Sequence, residues 1–178
     1  GPDTEVVDAA GLWLMPGFID IHTHYDVEVE LSPQLDESLR HGVTTVTVGS
    51  CSLSAALGAP EDIADIFCRV EAVPRSVVLP LLEARKDWDG YPAYLAHLDA
   101  LPLGPNVTSF VGHSNLRMHT MGFARSVDPD VEPTATELEA MERSDFETME
   151  ALRDRIDTIV EDPETADKLK AWYGKNCK

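Results

Sequence analysis

Basic residues are scarce in this chain. Fourteen Lys and Arg stand against thirty-two Asp and Glu over 178 residues, a formal net charge of -18. So acidic a chain repels phosphate backbones and anionic headgroups, which excludes nucleic acid and membrane surfaces as partners. The acids read as a solvated surface, denser in the C-terminal third. Cysteine is sparse too. Cys51, Cys68 and Cys177 are few and odd in number, so they form no disulfide framework and point to a reducing, cytoplasmic compartment. No apolar run approaches the ~20 residues of a membrane helix, and no basic-then-apolar leader stands at the start. There is no Gly-x-Gly-x-x-Gly, which a dinucleotide-binding enzyme needs. An initiator Met is also missing, and the chain opens at Gly1-Pro2-Asp3, as though from within a longer protein.

What is present is organised around Met15-Pro16-Gly17-Phe18-Ile19-Asp20-Ile21-His22-Thr23-His24. A Pro-Gly turn leads into a short apolar run that ends in His-x-His. Residues two apart on a strand share a face, so His22 and His24 project together and Thr23 faces away. Two imidazoles at one strand end can grip a divalent metal, zinc being the usual choice for nitrogen ligands.

Pro16-Gly17-Phe18-Ile19-Asp20 followed by His22 and His24 resembles the opening barrel strand of the amidohydrolase superfamily. His24-Tyr25-Asp26, Arg40-His41-Gly42-Val43-Thr44-Thr45-Val46 and Gly49-Ser50-Cys51-Ser52 are similar to its D-aminoacylase branch, the N-acyl-D-amino-acid deacylases. The likeness runs from about Val6 to about Ser144. It implies an α/β fold, metal-dependent hydrolysis of an amide bond and a small N-acyl amino acid as substrate. It also implies zinc as cofactor, with His22, His24 and the Cys51 thiolate as ligands. The branch pattern is Gly-Asn-Cys-Gly, whereas here Ser50 and Ser52 flank the cysteine. The family's remaining histidines and its aspartate base come from later strands and match nothing here.

A complete (β/α)8 barrel typically takes ~250 residues and rarely fewer than ~200. The expectation is therefore an incomplete (β/α)8 barrel of three strands, with a helical insertion and C-terminal helices. Phe18 to His22 reads as the first strand, buried on both sides as parallel strands are. Val43 to Val48, dense in β-branched residues, reads as the second, and Asn106 to Val111 as the third. Before them, Thr4 to Val7 and Leu12 to Met15 are β-like runs, the remnant of a β region over residues 1–16. Asp26 to Ser32 reads as an acidic loop and Leu35 to His41 as a helix stopped by Gly42. Three apolar faces at helical spacing follow Pro60, Pro74 and Pro92. They include Ile63 and Phe67, Val78 and Leu82, and Tyr94 and Leu98, with Cys68 in the core. Trp88 and Tyr91, between the last two, either shape a substrate entrance or serve packing.

By the strand-end rule His113 either faces the active site or is structural. Arg117, in a polar loop with His119, either binds a substrate carboxylate bidentately or is a solvated structural arginine. His41 and His97 lie on helices and receive no role. Thr134-Ala135-Thr136-Glu137 is a capping box opening a helix.

The partial barrel is expected over residues 17–144, with a helical tail over 145–178. Asp162-Pro163-Glu164-Thr165-Ala166, Leu169-Lys170-Ala171-Trp172-Tyr173 and Asn176-Cys177-Lys178 resemble a helical stretch of Baeyer-Villiger flavin monooxygenases. That resemblance implies a junction of unrelated pieces near Ser144, the other reading being simple divergence. Two further functions stay open. One is a flavin monooxygenase fragment, and the other a non-catalytic acidic module whose helices bind a partner. Unpaired edges of a three-stranded sheet would also template self-association.

Overall fold

The computed structural model describes residues 5–144. The helices expected in the tail, and the residues that carry its flavoprotein resemblance, lie outside them. Three parallel strands form one sheet in the order β1-β2-β3: β1 Phe18–Asp20, β2 Val43–Val48 and β3 Asn106–Ser109. Val46 sits opposite Asp20 on one side and Val107 on the other. All three strands fall where the β-branched runs and turn residues put them, though β1 and β3 are shorter than expected. One further ladder bond, from the Phe110 N–H to the Val48 carbonyl at 2.9 Å, continues the pairing beyond β3.

Between β1 and β2 lie α1 Glu28–Leu31 and α2 Asp36–Arg40. Between β2 and β3 come α3 Pro60–Val70, α4 Arg75–Arg85 and α5 Tyr91–Ala100. After β3 follow α6 His113–Met121 and α7 Phe123–Ser126, and residues 135–144 are helical. The core lies where β2 meets the inserted helices. Val46 and Val48 are fully buried, as are Ile63, Val78, Leu82, Tyr94 and Leu98. Met141 belongs to the same cluster, so the described chain packs around one core as far as that residue. Cys68, expected in the core, is only partly buried against it. Packing also decides the role of Trp88 and of Tyr91, which opens α5 and does not lie in a loop. The Trp88 indole donates to the Ala55 carbonyl at 3.0 Å, the Tyr91 hydroxyl accepts from the Gly112 N–H at 2.6 Å, and both rings are buried.

The structure corrects several expectations. Residues 5–7 and Leu12–Met15 are not strands. A strand needs an edge to pair with, and these residues find none among those described. Nor is β1 buried: Phe18 is 58% exposed and Ile19 65%. Its sequence has the apolar character of an inner strand, but here it is an edge strand with little laid over it. The acidic loop after β1 contains α1, and two of its acids, Asp26 and Glu30, are buried instead of solvated. Arg117 and His119 lie on α6 and not in a loop. That segment is rich in polar residues, but Leu116, Met118 and Met121 give it a buried side.

The capping box forms as expected. The Thr134 N–H and hydroxyl both donate to Glu137 Oε2, at 2.7 and 2.9 Å, and the Glu137 N–H donates to Thr134 Oγ1 at 3.3 Å. Arg125 of α7 also grips the Glu137 carboxylate through both terminal nitrogens. This guanidinium, helped by Thr134, holds the Glu137 carboxyl down at about 2. A depressed value means that the contribution to stability is present above the ordinary 4.5 and is lost as pH falls towards 2. Glu137→Gln should therefore lower the urea midpoint at pH 7 and flatten its fall below pH ~4.5. Parallel pH profiles for the two proteins would refute this.

Candidate metal centre

The geometry begins with Thr23. Its N–H and its hydroxyl both donate to the Thr47 carbonyl of β2, at 3.1 and 2.8 Å, and its side chain is buried. This pins the chain just beyond β1 in extended form, so His22 and His24 leave on the opposite side. Their rings lie 5.5 Å apart between centroids.

Cys51 arrives from the end of β2. Gly49 lies at φ 77, and a Cβ there would meet the Phe110 carbonyl oxygen at 2.4 Å. Only glycine lets the loop pass this close to the third strand. The turn Ser50–Ser52 then places Cys51 in the left-handed region at φ 53. A non-glycine residue held there is strained, a condition that clusters at functional sites. The loop is fastened from below by Asp26, whose carboxylate accepts from the Gly49 N–H and the Ala55 N–H, each at 3.1 Å. Burial pushes this carboxyl up to about 6, against the opposing pull of those two backbone bonds. Asp26 thus ties the histidine segment to the cysteine loop.

As a result, His22 Nε2 lies 3.1 Å from Cys51 Sγ. Donor atoms of His22, His24 and Cys51 all fall within 4.8 Å of one another. His24 Nδ1 is engaged by the Glu71 carboxylate. Its Nε2 is buried and has no hydrogen-bond partner. An orphaned buried polar atom costs about 1–3 kcal/mol, which a bound cation would offset. Two imidazole nitrogens and one sulfur are also the donor set that zinc takes. The residues present therefore fit a divalent metal.

A cavity of about 600 Å³ opens beside the histidines, lined by Asp20, His24, Tyr25, Glu28, Phe67 and Glu71 among others. A second, of about 360 Å³, lies between His22, Cys51 and Phe110. His113 is exposed at the first position of α6. Arg117 lines a third cavity with Arg69, Met118 and Phe123, which shares no lining residue with the two at the histidines. The sequence reading missed Asp26, Glu30 and Glu71. Asp26 stands in the His24-Tyr25-Asp26 match without a role there, and Glu30 and Glu71 show in the sequence only as acids among acids.

The amidohydrolase family model matches residues 5–175. The chain belongs to the amidohydrolase family. It is 55% identical over 147 residues to an uncharacterized protein of Mycobacterium tuberculosis, covering 83% of this chain and 24% of that one. To the N-acyl-D-glutamate deacylase of Alcaligenes xylosoxydans xylosoxydans it is 33% identical over 150 residues, covering 84% and 28%. The chain thus spans about a quarter of the length of the curated relatives it matches.

Among solved structures, a D-aminoacylase described with a binuclear metal centre aligns at a TM-score of 0.60 and 29% identity, over 76% of this chain and 26% of that one. The N-acyl-D-glutamate deacylase of Bordetella bronchiseptica, complexed with zinc and a phosphonate inhibitor, aligns at 0.53 and 37%, over 72% and 24%. The three-stranded sheet with its helices is therefore part of an amidohydrolase barrel. A weaker similarity joins the chain to a Baeyer-Villiger monooxygenase of Stachybotrys chlorohalonatus, 35% identical over 83 residues. That stretch is longer than the tail over residues 145–178, where the resemblance was read. No helix among the described residues is long and apolar enough to cross a membrane.

Proposed function

We propose that this chain carries the first ligands of a zinc centre that hydrolyses N-acyl-D-amino acids. The observation that supports this most is the convergence of His22, His24 and Cys51 within 4.8 Å, in a chain similar to deacylases of that substrate class. Zinc held there supplies Lewis acidity, polarising an amide carbonyl and lowering the pKa of a water. The chain's own residues do the rest. Thr23 fixes which way the two histidines face, and Gly49 lets the cysteine loop close on β3. Asp26 holds that loop to the strand end, and the cavity beside His24 leaves room for a small substrate. His113 and Arg117 line neither cavity at the histidines, so neither enters this reading.

The test is stoichiometric zinc, measured by elemental analysis and by competition with a chromogenic chelator. The wild-type chain should bind about one zinc, weakly because the ligand set is partial. Alanine at both His22 and His24 should abolish it. Equal zinc in the double variant would overturn the assignment.

A further inference from the structure

The inserted helices between β2 and β3 do more than cover the sheet. Glu71 caps the C-terminus of α3, where its N–H donates to the Phe67 carbonyl at 2.8 Å. The helix beneath it is anchored by fully buried Ile63 and Ala64 and by Phe67. Ala72 then turns the chain at φ 54, and Arg75 at the start of α4 bonds back to Asp65 of α3 at 2.6 Å. Glu71 is therefore presented from a braced helix end. It lies 47 residues along the chain from His24, yet its carboxylate engages His24 Nδ1.

We infer that Glu71 is a positioning residue for the metal centre, one that holds the His24 ring in the tautomer and orientation that make Nε2 a ligand. This rests on the proposed zinc reading and deepens it. A carboxylate only accepts, so the shared proton sits on Nδ1 and the lone pair is left on Nε2. That nitrogen is the buried atom without a partner. The His24 side chain is 20% exposed and that of Glu71 33%, so the pair sits at the wall of the larger cavity and is partly open to solvent. Carboxylate partners of this kind orient metal-bound imidazoles and raise their basicity. Among the described residues His22 has no such carboxylate; its Nε2 faces Cys51 Sγ. Glu71 thus acts on one ligand only.

The test combines zinc affinity with a measurement on the metal-free protein. Long-range ¹⁵N–¹H correlation at pH 8 should show His24 as the Nδ1–H tautomer in the wild type. Glu71→Ala should shift it to a mixture and weaken zinc binding ten- to a hundredfold. Glu71→Gln preserves shape and keeps an oxygen that accepts from Nδ1–H, so it should hold the tautomer and lose less affinity. Glu83→Ala, on the exposed side of α4, is the surface control and should change neither. An unchanged tautomer in Glu71→Ala, wild-type zinc affinity in that variant, or an equal loss in Glu83→Ala would each overturn the inference while the zinc centre stands. A wild-type chain that takes up no zinc overturns the zinc reading, and the inference with it.

Discussion

N-acetyl-D-amino acids incubated with the 178-residue chain and added zinc should show no hydrolysis above that of zinc alone. The expectation follows from what the site brings together. Among the described residues, the cluster able to hold a metal is His22, His24 and Cys51. Three of the described carboxylates near it are already engaged elsewhere. Asp20 is turned to the His22 backbone N–H at 3.2 Å, and Asp26 is buried under the cysteine loop. Glu71 is occupied on the far side of the His24 ring. The three strands described do not close a barrel, so among the described residues no later strand brings a base to the cluster. Groups that act as a unit lose most of their effect when one is missing, on the order of a millionfold in rate. The chain should therefore separate metal binding from catalysis. Zinc-dependent turnover that disappears in the His22/His24 double alanine variant would show that the three-strand unit is sufficient for the chemistry.

The positions of His22, His24 and Cys51 follow short-range rules, while a ligand role for Cys51 came from the family resemblance alone. Period-two alternation put His22 and His24 on one side, and the turn after a β-branched run put Cys51 at the strand end. The capping box at Thr134 is equally local, and all its bonds form. What escaped the sequence reading depends on burial across distance. Asp26 belongs to a family-like motif, but its role shows only where it meets the N–H groups of residues 49 and 55. Glu71 ends an amphipathic helix whose acids mostly face water, and only the fold brings it to His24. The exposure of β1 was hidden for the opposite reason. Phe18, Ile19 and Ile21 have the apolar character of an inner strand, but the sheet described here leaves them at its edge.

His97 was assigned no role from sequence, yet its replacement by Ala should be clearly destabilising at pH 8, by about 1–3 kcal/mol, because it leaves a buried carboxyl without its hydrogen-bond partner. Glu30 of α1 is fully buried, and both its oxygens lie against His97 Nε2, at 3.0 and 3.1 Å. The Trp88 ring packs on the imidazole at 4.4 Å between centroids. Asp87 meets the other ring nitrogen at 3.2 Å but is 79% exposed, so it adds little. Burial holds the Glu30 carboxyl above its ordinary range, and His97 opposes that rise. A raised value makes the protonated form the better folded partner. Its contribution is complete below the ordinary 4.5 and is lost as pH rises through the folded value. Removing His97 removes the opposing pull and drives that value higher still. The cost of His97→Ala should then be larger at pH 8 than at pH 5, because a carboxyl raised further is the more readily protonated as pH falls. Adding Glu30→Gln removes the buried charge, so the double variant should recover much of the loss at pH 8 and little at pH 5. Urea unfolding of the four proteins at both pH values decides it. A pH-independent loss in His97→Ala, or a double variant as unstable at pH 8 as that single one, would mean that Trp88 packing and not the buried carboxylate makes His97 matter.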